Sequence, residues 1–180
     1  VFVTGKHEKL EYQLSGVEAP RKLGKSLVFE LQSPVAFRWE PLQPYVDQVL
    51  PWVRLGTINP SWADAGVEYL RKIEDKLDVS AVAERAQRLV DGVDNQKRKI
   101  EILSAWVQDE IHYEAIEFGR RAYIPKTARD TTRDRYGDCK DHAVLLYALL
   151  RAAGVDASLA LVNLSQQVLP GLPNTDQFDH

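Results

Sequence analysis

Methionine is missing altogether from these 180 residues, and cysteine occurs once. A single thiol cannot close an internal disulfide, so the chain is not a disulfide-stapled scaffold. The compartment stays open, because a periplasmic enzyme can also carry one free thiol. An excess of positive charge is lacking too: 26 acidic side chains against 23 Lys and Arg leave a net charge of −3, with the two signs interleaved. Without a basic field, nucleic-acid binding is not expected. The longest apolar run, Ala143 to Leu150, falls far short of the roughly 20 residues of a membrane span. No signal-like or lipidation segment is present. Lacking Met, opening on Val1 in what reads as mid-strand, and stopping where Phe178-Asp179-His180 reads as a new strand, the chain is expected to be a piece of a longer protein. Any targeting signal would then lie upstream. What is there, 44% hydrophobic and 27% charged residues, is the composition of a globular chain able to bury a core.

Residues 1–58 read as strand and loop. Short β-prone runs at Val1 to Val3, Lys9 to Leu14, Ser26 to Leu31 and Val35 to Trp39 are broken by Gly16, Pro20, Gly24, Pro34, Pro41, Pro44 and Pro51. This is the expected tail of a β-rich module with a proline-marked connector. Its Trp39, Tyr45 and Trp52 either pack a domain seam or form a binding face. A helix is predicted from Ser61, as N-cap, to about Leu77, with Val67, Leu70, Ile73 and Leu77 spaced by three or four. A second is predicted over about Ser80 to Val90, closed by Gly92. A third follows Asp94, with Ile100, Leu103, Trp106, Val107 and Ile111 on one face and His112 as a packing residue at its end. Tyr113 to Asp138 reads as a long charged loop wrapping the entrance to a site. In it Arg129, Arg133 and Arg135, with Asp130 and Asp134, read as a salt-bridged or solvated stretch. Val155 to Asn163 alternates as a strand and Leu164 to Gln177 is a polar loop.

The stretch with the most chemistry in it is Arg135-Tyr136-Gly137-Asp138-Cys139-Lys140-Asp141-His142, which runs straight into Ala143 to Leu150. No Gly or Pro interrupts Lys140 to Ala153, and Gly154 stands where a helix would stop. The apolar run predicts a helix covered all round, with the lone cysteine in its first turn. A thiolate, not a thiol, is the nucleophile. The helix end contributes about 1–2 kcal/mol, roughly tenfold in acidity, to a thiol that starts near ~8.5. An imidazolium at about 4 Å and an effective dielectric near 20 would add about 4 kcal/mol, so a histidine partner is required. His180 is the candidate. The competing readings of Cys139 are a small buried helix-start residue and, with His142 three residues on plus His180 and a carboxylate, a zinc half-site. His142 is otherwise a hydrogen-bonded helix residue, and His7 carries no argument.

Tyr136-Gly137-Asp138-Cys139-Lys140-Asp141, the leucine-rich helix ending at Arg151-Ala152-Ala153-Gly154-Val155, and Leu169-Pro170 to Phe178-Asp179-His180 together resemble the bacterial transglutaminase-like superfamily. Trp106-Val107 to Ile111-His112-Tyr113 and the Pro125 loop fit it as well. The resemblance covers about residues 95–180. The stretch through Pro60-Ser61-Trp62 is similar to the join between this core and an uncharacterised β-rich N-terminal domain. It implies an α+β, papain-like fold with the cysteine-bearing central helix packed on an antiparallel sheet, and a division into residues 1–58 and a core over 59–180. It also implies Cys139 as nucleophile, His180 as base, and an orienting aspartate on the following strand. Asp179 cannot be that aspartate, since strand neighbours point to opposite faces, and Asp176 lies in the loop, so the third member is expected beyond the chain. The implied activity is thiol acyl transfer on a protein or peptide substrate, by a cysteine peptidase or amidase or by a cross-linking transglutaminase, with a non-catalytic or zinc-binding interaction domain as the other class. No cofactor is implied, no acidic spacing suggests calcium, and the family context points to the periplasm or secretion.

Overall fold

A computed structural model describes residues 2–4, 10–31, 36–57, 60–115 and 118–180. Val1, His7, Val35 and Asn59 lie outside the described residues. The chain divides into two compact units, residues 1–67 with 161–179, and residues 68–160 with His180.

The first unit is built on short antiparallel strands. β1 (Phe2–Thr4), β3 (Arg21–Leu23) and β4 (Ser26–Val28) form a sheet in the order β1-β4-β3. Gly24 makes the tight β3–β4 turn with φ near +62°, a conformation free of steric cost for glycine. β2 (Leu10–Ser15) pairs with β5 (Trp52–Thr57), Leu10 opposite Thr57 and Ser15 opposite Trp52. A four-residue helix, α1 (Val46–Val49), precedes β5. The expected strands at the start of the chain, at Lys9 to Leu14 and at Ser26 to Leu31 are thus present in shortened or shifted form. β5 instead occupies part of the supposed connector, and residues 36–39 are not a strand. β5 follows directly on Pro51, where proline at a strand's edge removes no ladder bond. Trp39 and Tyr45 are exposed, while the Trp52 indole donates to the Asp47 carbonyl at 2.7 Å.

α2 (Trp62–Ile73) begins as expected at Ser61, whose hydroxyl accepts from the Asp64 N–H at 3.1 Å. Its predicted apolar stripe is only partly buried: Val67 and Leu70 are exposed, whereas Ile73 is buried, together with Ala65. In the second unit, a 3-10 turn (Ser80–Val82) leads into α3 (Ala83–Leu89), and α4 (Gln96–Glu110) starts at Asn95, whose side chain accepts from the Arg98 N–H. Leu103, Val107 and Ile111 of the predicted face are buried and Ile100 is exposed. His112 is exposed in β6 (His112–Tyr113) rather than packed, a correction that follows from the chain leaving the helix at Ile111.

The segment read as one long loop contains structure. α5 (Ala128–Asp134) starts at Thr127, which accepts from the Asp130 N–H at 3.0 Å, and ends where Arg135 turns left-handed. β7 (Tyr136–Gly137) then pairs in parallel with β6. The arginines here are salt-bridged or solvated, as expected: Arg133 pairs with Asp130 and Asp134 and Arg135 with Glu110, while Arg129 is exposed.

α6 (Cys139–Ala152) is the central element, packed against α3, α4 and α5. Leu145, Ala148 and Leu149 join Val82, Ala86, Leu103 and Val107 in one apolar cluster. The helix is not covered all round: Ala143 is exposed and Leu146, Tyr147 and Leu150 are half-buried. Beyond Gly154 no strand forms among the described residues. Residues 155–163 keep an alternating burial pattern, but their contact with the chain end is one backbone bond, Asp179 N–H to the Val162 carbonyl, while Asn163 binds the Gln177 carbonyl with its side chain. A strand needs a continuous ladder, and alternation alone does not supply one. The class is α+β as expected, yet the strands beside α6 are a parallel pair, not an antiparallel sheet.

Candidate active site

Cys139 is the first residue of α6, directly after the N-cap Asp138. The Asp138 carboxylate accepts from the Asp141 N–H and the Asp141 carboxylate accepts from the Asp138 N–H at 3.2 Å, a reciprocal capping box around the thiol. Both carboxylates are fully buried. Gly137 is required by this arrangement: a Cβ there would lie 2.6 Å from the Asp141 Cβ. β7 delivers Gly137 to this point, held by β6 through the Glu114 N–H on the Gly137 carbonyl.

Each buried carboxylate has a cation. Lys140 Nζ pairs with Asp138. Arg121, on the 3-10 turn Gly119–Ala122, reaches Asp141 Oδ2 at 2.7 Å, and the Lys126 N–H donates to Asp141 Oδ1 at 2.6 Å. The Lys126 ammonium is engaged elsewhere, on Asp134 and the Tyr136 carbonyl and over the Tyr136 ring at 3.5 Å.

His142 stands one turn after Cys139. Its Nδ1 lies 2.9 Å from the Asp138 carbonyl and its Nε2 3.1 Å from the Ile111 carbonyl. Both ring nitrogens face backbone carbonyls, and since a neutral imidazole carries one N–H, one of the two contacts is a donated hydrogen bond; the zinc half-site reading gains no support from this placement. No group of three metal-binding side chains occurs among the described residues. The hydrogen-bonded helix residue expected at 142 is what is found.

Tyr69 of α2, which sequence reasoning passed over, belongs to this neighbourhood. Its hydroxyl donates to the Tyr123 carbonyl at 3.1 Å. Burial, and after it the negative charges of Cys139 and Asp138, push its phenol above the ordinary tyrosine value. Exposed Phe118 and Tyr123 flank the Arg121 turn, and exposed Tyr113 lies 5.7 Å from the His142 ring. Of the residues picked from sequence, Cys139 is half-buried at the helix start, and exposed His180 groups with the same unit. Asp179 is engaged within the first unit, accepting from the Leu164 N–H and the Ser165 hydroxyl. Asp176 sits in a 3-10 turn (Thr175–Gln177). The capping-box spacing of Asp138 and Asp141 was legible in sequence; Arg121 and Tyr69 carried no signal. The first unit also holds a cleft of about 510 Å³, whose mixed lining includes Arg54, Asp176 and Asp179 beside the amides Asn163, Asn174 and Gln177.

Residues 83–171 match the transglutaminase-like superfamily. No curated protein matches the chain. The fold is similar to that in the crystal structure of a "putative protease" from Parabacteroides distasonis, with a TM-score of 0.66 and 23% identity, over 81% of this chain and 29% of that one. The chain thus spans under a third of that protein's length. With the motif around Cys139, the helix behind it and the family match covering the same residues, the segment 83–171 belongs to the transglutaminase-like superfamily.

Proposed function

We propose that this chain carries thiol acyl-transfer chemistry on peptide or amide carbonyls, with Cys139 as nucleophile and His180 as base. His180 takes the thiol proton, the sulfur adds to the carbonyl carbon, and the tetrahedral oxyanion accepts from the Cys139 backbone N–H. Collapse breaks the C–N bond, the imidazolium proton leaves with the amine, and a thioester remains. Water adding to that thioester releases an acid; an amine would form a new amide instead. The name given to the Parabacteroides protein supports water. In this reading residues 59–180 form the transglutaminase-like core after a β-rich module over 1–58, and the carboxylate that orients His180 is not assigned to a residue of this chain.

One observation carries the reading: the sole cysteine is the first residue of the central helix of a transglutaminase-like core, where the helix end favours a thiolate. The test is the pH dependence of Cys139 alkylation by iodoacetamide, with and without His180→Ala, followed by amide and peptide turnover. A midpoint below the ~8.5 of a free thiol that rises in His180→Ala is expected, with turnover abolished in Cys139→Ala. A free-thiol midpoint indifferent to His180 would sink the assignment.

A further inference from the structure

Cys139 sits between two fully buried carboxylates, Asp138 immediately before it and Asp141 two residues after. Both help cap the helix, yet each opposes a second negative charge placed between them. The electropositive helix end is useful to the sulfur only while those charges are cancelled. For Asp138 the cancellation is built into the same turn through Lys140. For Asp141 it is imported: its charged partner among the described residues is Arg121, twenty positions upstream on a separate 3-10 turn.

We propose that Arg121 is a positioning residue for the Cys139 thiolate, acting through Asp141: with the guanidinium docked the first turn of α6 favours a charged sulfur, and without it Asp141 suppresses one. This rests on the reading of Cys139 as a nucleophile. The other groups described around the turn are engaged elsewhere. Lys140 is committed to Asp138, and the Lys126 ammonium to Asp134 of α5 and the Tyr136 carbonyl of β7. His142 is held between the Asp138 and Ile111 carbonyls. Tyr69 of α2 offers a phenol bonded to the Tyr123 carbonyl. Since Arg121 lies between exposed Phe118 and Tyr123, the segment that would meet a substrate also sets the reactivity of the thiol.

The experiment compares alkylation midpoints of Cys139 in the full chain for the wild type, Arg121→Gln, Arg121→Lys, Asp141→Asn and the double variant Arg121→Gln/Asp141→Asn. Loss of the guanidinium raises the midpoint by about one pH unit. Arg121→Lys keeps it near the wild-type value, and the double variant returns to that value because the charge being neutralised is gone as well. Asp141→Asn alone, leaving the guanidinium unopposed, lowers it. A residue that merely anchors the turn would leave Arg121→Gln at the wild-type midpoint, or leave the double variant as displaced as the single one; either result overturns the proposal. If Arg121→Gln does not fold, a midpoint in Asp141→Asn at or above the wild-type value overturns it. A wild-type thiol with an ordinary midpoint, indifferent to His180→Ala, refutes the acyl-transfer reading instead, and is read independently of the differences among the Arg121 and Asp141 variants.

Discussion

Gly137 shows how narrowly the candidate site is specified by single residues. Its hydrogen faces the Asp141 side chain, and an added methyl would sit 2.6 Å from one carbon and 2.9 Å from Oδ2. That carboxylate is pinned by Arg121 and the Lys126 N–H and cannot retreat without breaking them. Gly137→Ala is expected to cost about 1–3 kcal/mol in chemical denaturation, the usual range for overpacking, and a cost below a few tenths would mean the turn relaxes freely. Tyr69 offers a spectroscopic readout of the same place. Burial raises its phenol first and the charge on Cys139 next. In Cys139→Ala the absorbance titration of Tyr69, isolated by difference against Tyr69→Phe, should move back toward the ordinary value of about 10. No movement would place the sulfur's charge out of its reach.

Helices here are decided by caps and by which face finds cover. Thr127 caps α5 and Asn95 caps α4, each through its side chain and an N–H three residues on. Thr127→Ala should cost about 1 kcal/mol, and through α5 it should loosen β7 and the approach to Cys139. In α6, Leu149 is fully buried in the apolar cluster and Leu146 only half-buried at its margin. Leu149→Ala is accordingly expected to lose about 2–5 kcal/mol, and Leu146→Ala distinctly less. Equal losses would contradict the one-sided burial of the helix. The missed α5 had a readable start, Thr127 followed three residues later by Asp130. Its high charge concealed it, because its buried contacts are Ala128 and Thr131, small side chains that leave little hydrophobic period.

The whole molecule repeats that logic. Every residue of the main apolar cluster lies between Val82 and Ala153, inside the unit of residues 68–160. The first unit joins two distant stretches of chain, 1–67 and 161–179. A fragment of residues 68–160 is expected to keep helical circular dichroism and a cooperative thermal transition, since its core is local in sequence. A non-cooperative melt would show that the core depends on the other unit. Acid stability should follow Asp134, whose carboxyl is held below the ordinary value by Arg133 and then Lys126. A folded-state value below the unfolded one gives stability that is present above the unfolded value near 3.9 and is lost as pH falls through the folded one. Asp134→Asn should therefore be less stable than the wild type in urea at pH 7 and equal to it at the acid end. A difference that persists unchanged in acid would rule out charge as its cause.

The sequence by itself determined the helices over Trp62–Ile73, Ala83–Leu89, Gln96–Glu110 and Cys139–Ala152, and with them the place of the lone thiol at a helix start. Caps, stops and a 3.6-residue period act within a few neighbouring residues, so they are written in order along the chain. It also carried the capping pair Asp138 and Asp141. Tertiary structure alone decided which apolar faces are covered, leaving Val67 and Leu70 exposed and burying Ile73, because cover depends on what arrives from elsewhere. It likewise left residues 155–163 alternating without a ladder, and it brought the Ile111 carbonyl to within 3.1 Å of His142 Nε2. The Arg121–Asp141 pair belongs to the same category. A charge pair between residues twenty positions apart has no period and no motif, and only the folded chain brings its two halves within hydrogen-bonding distance.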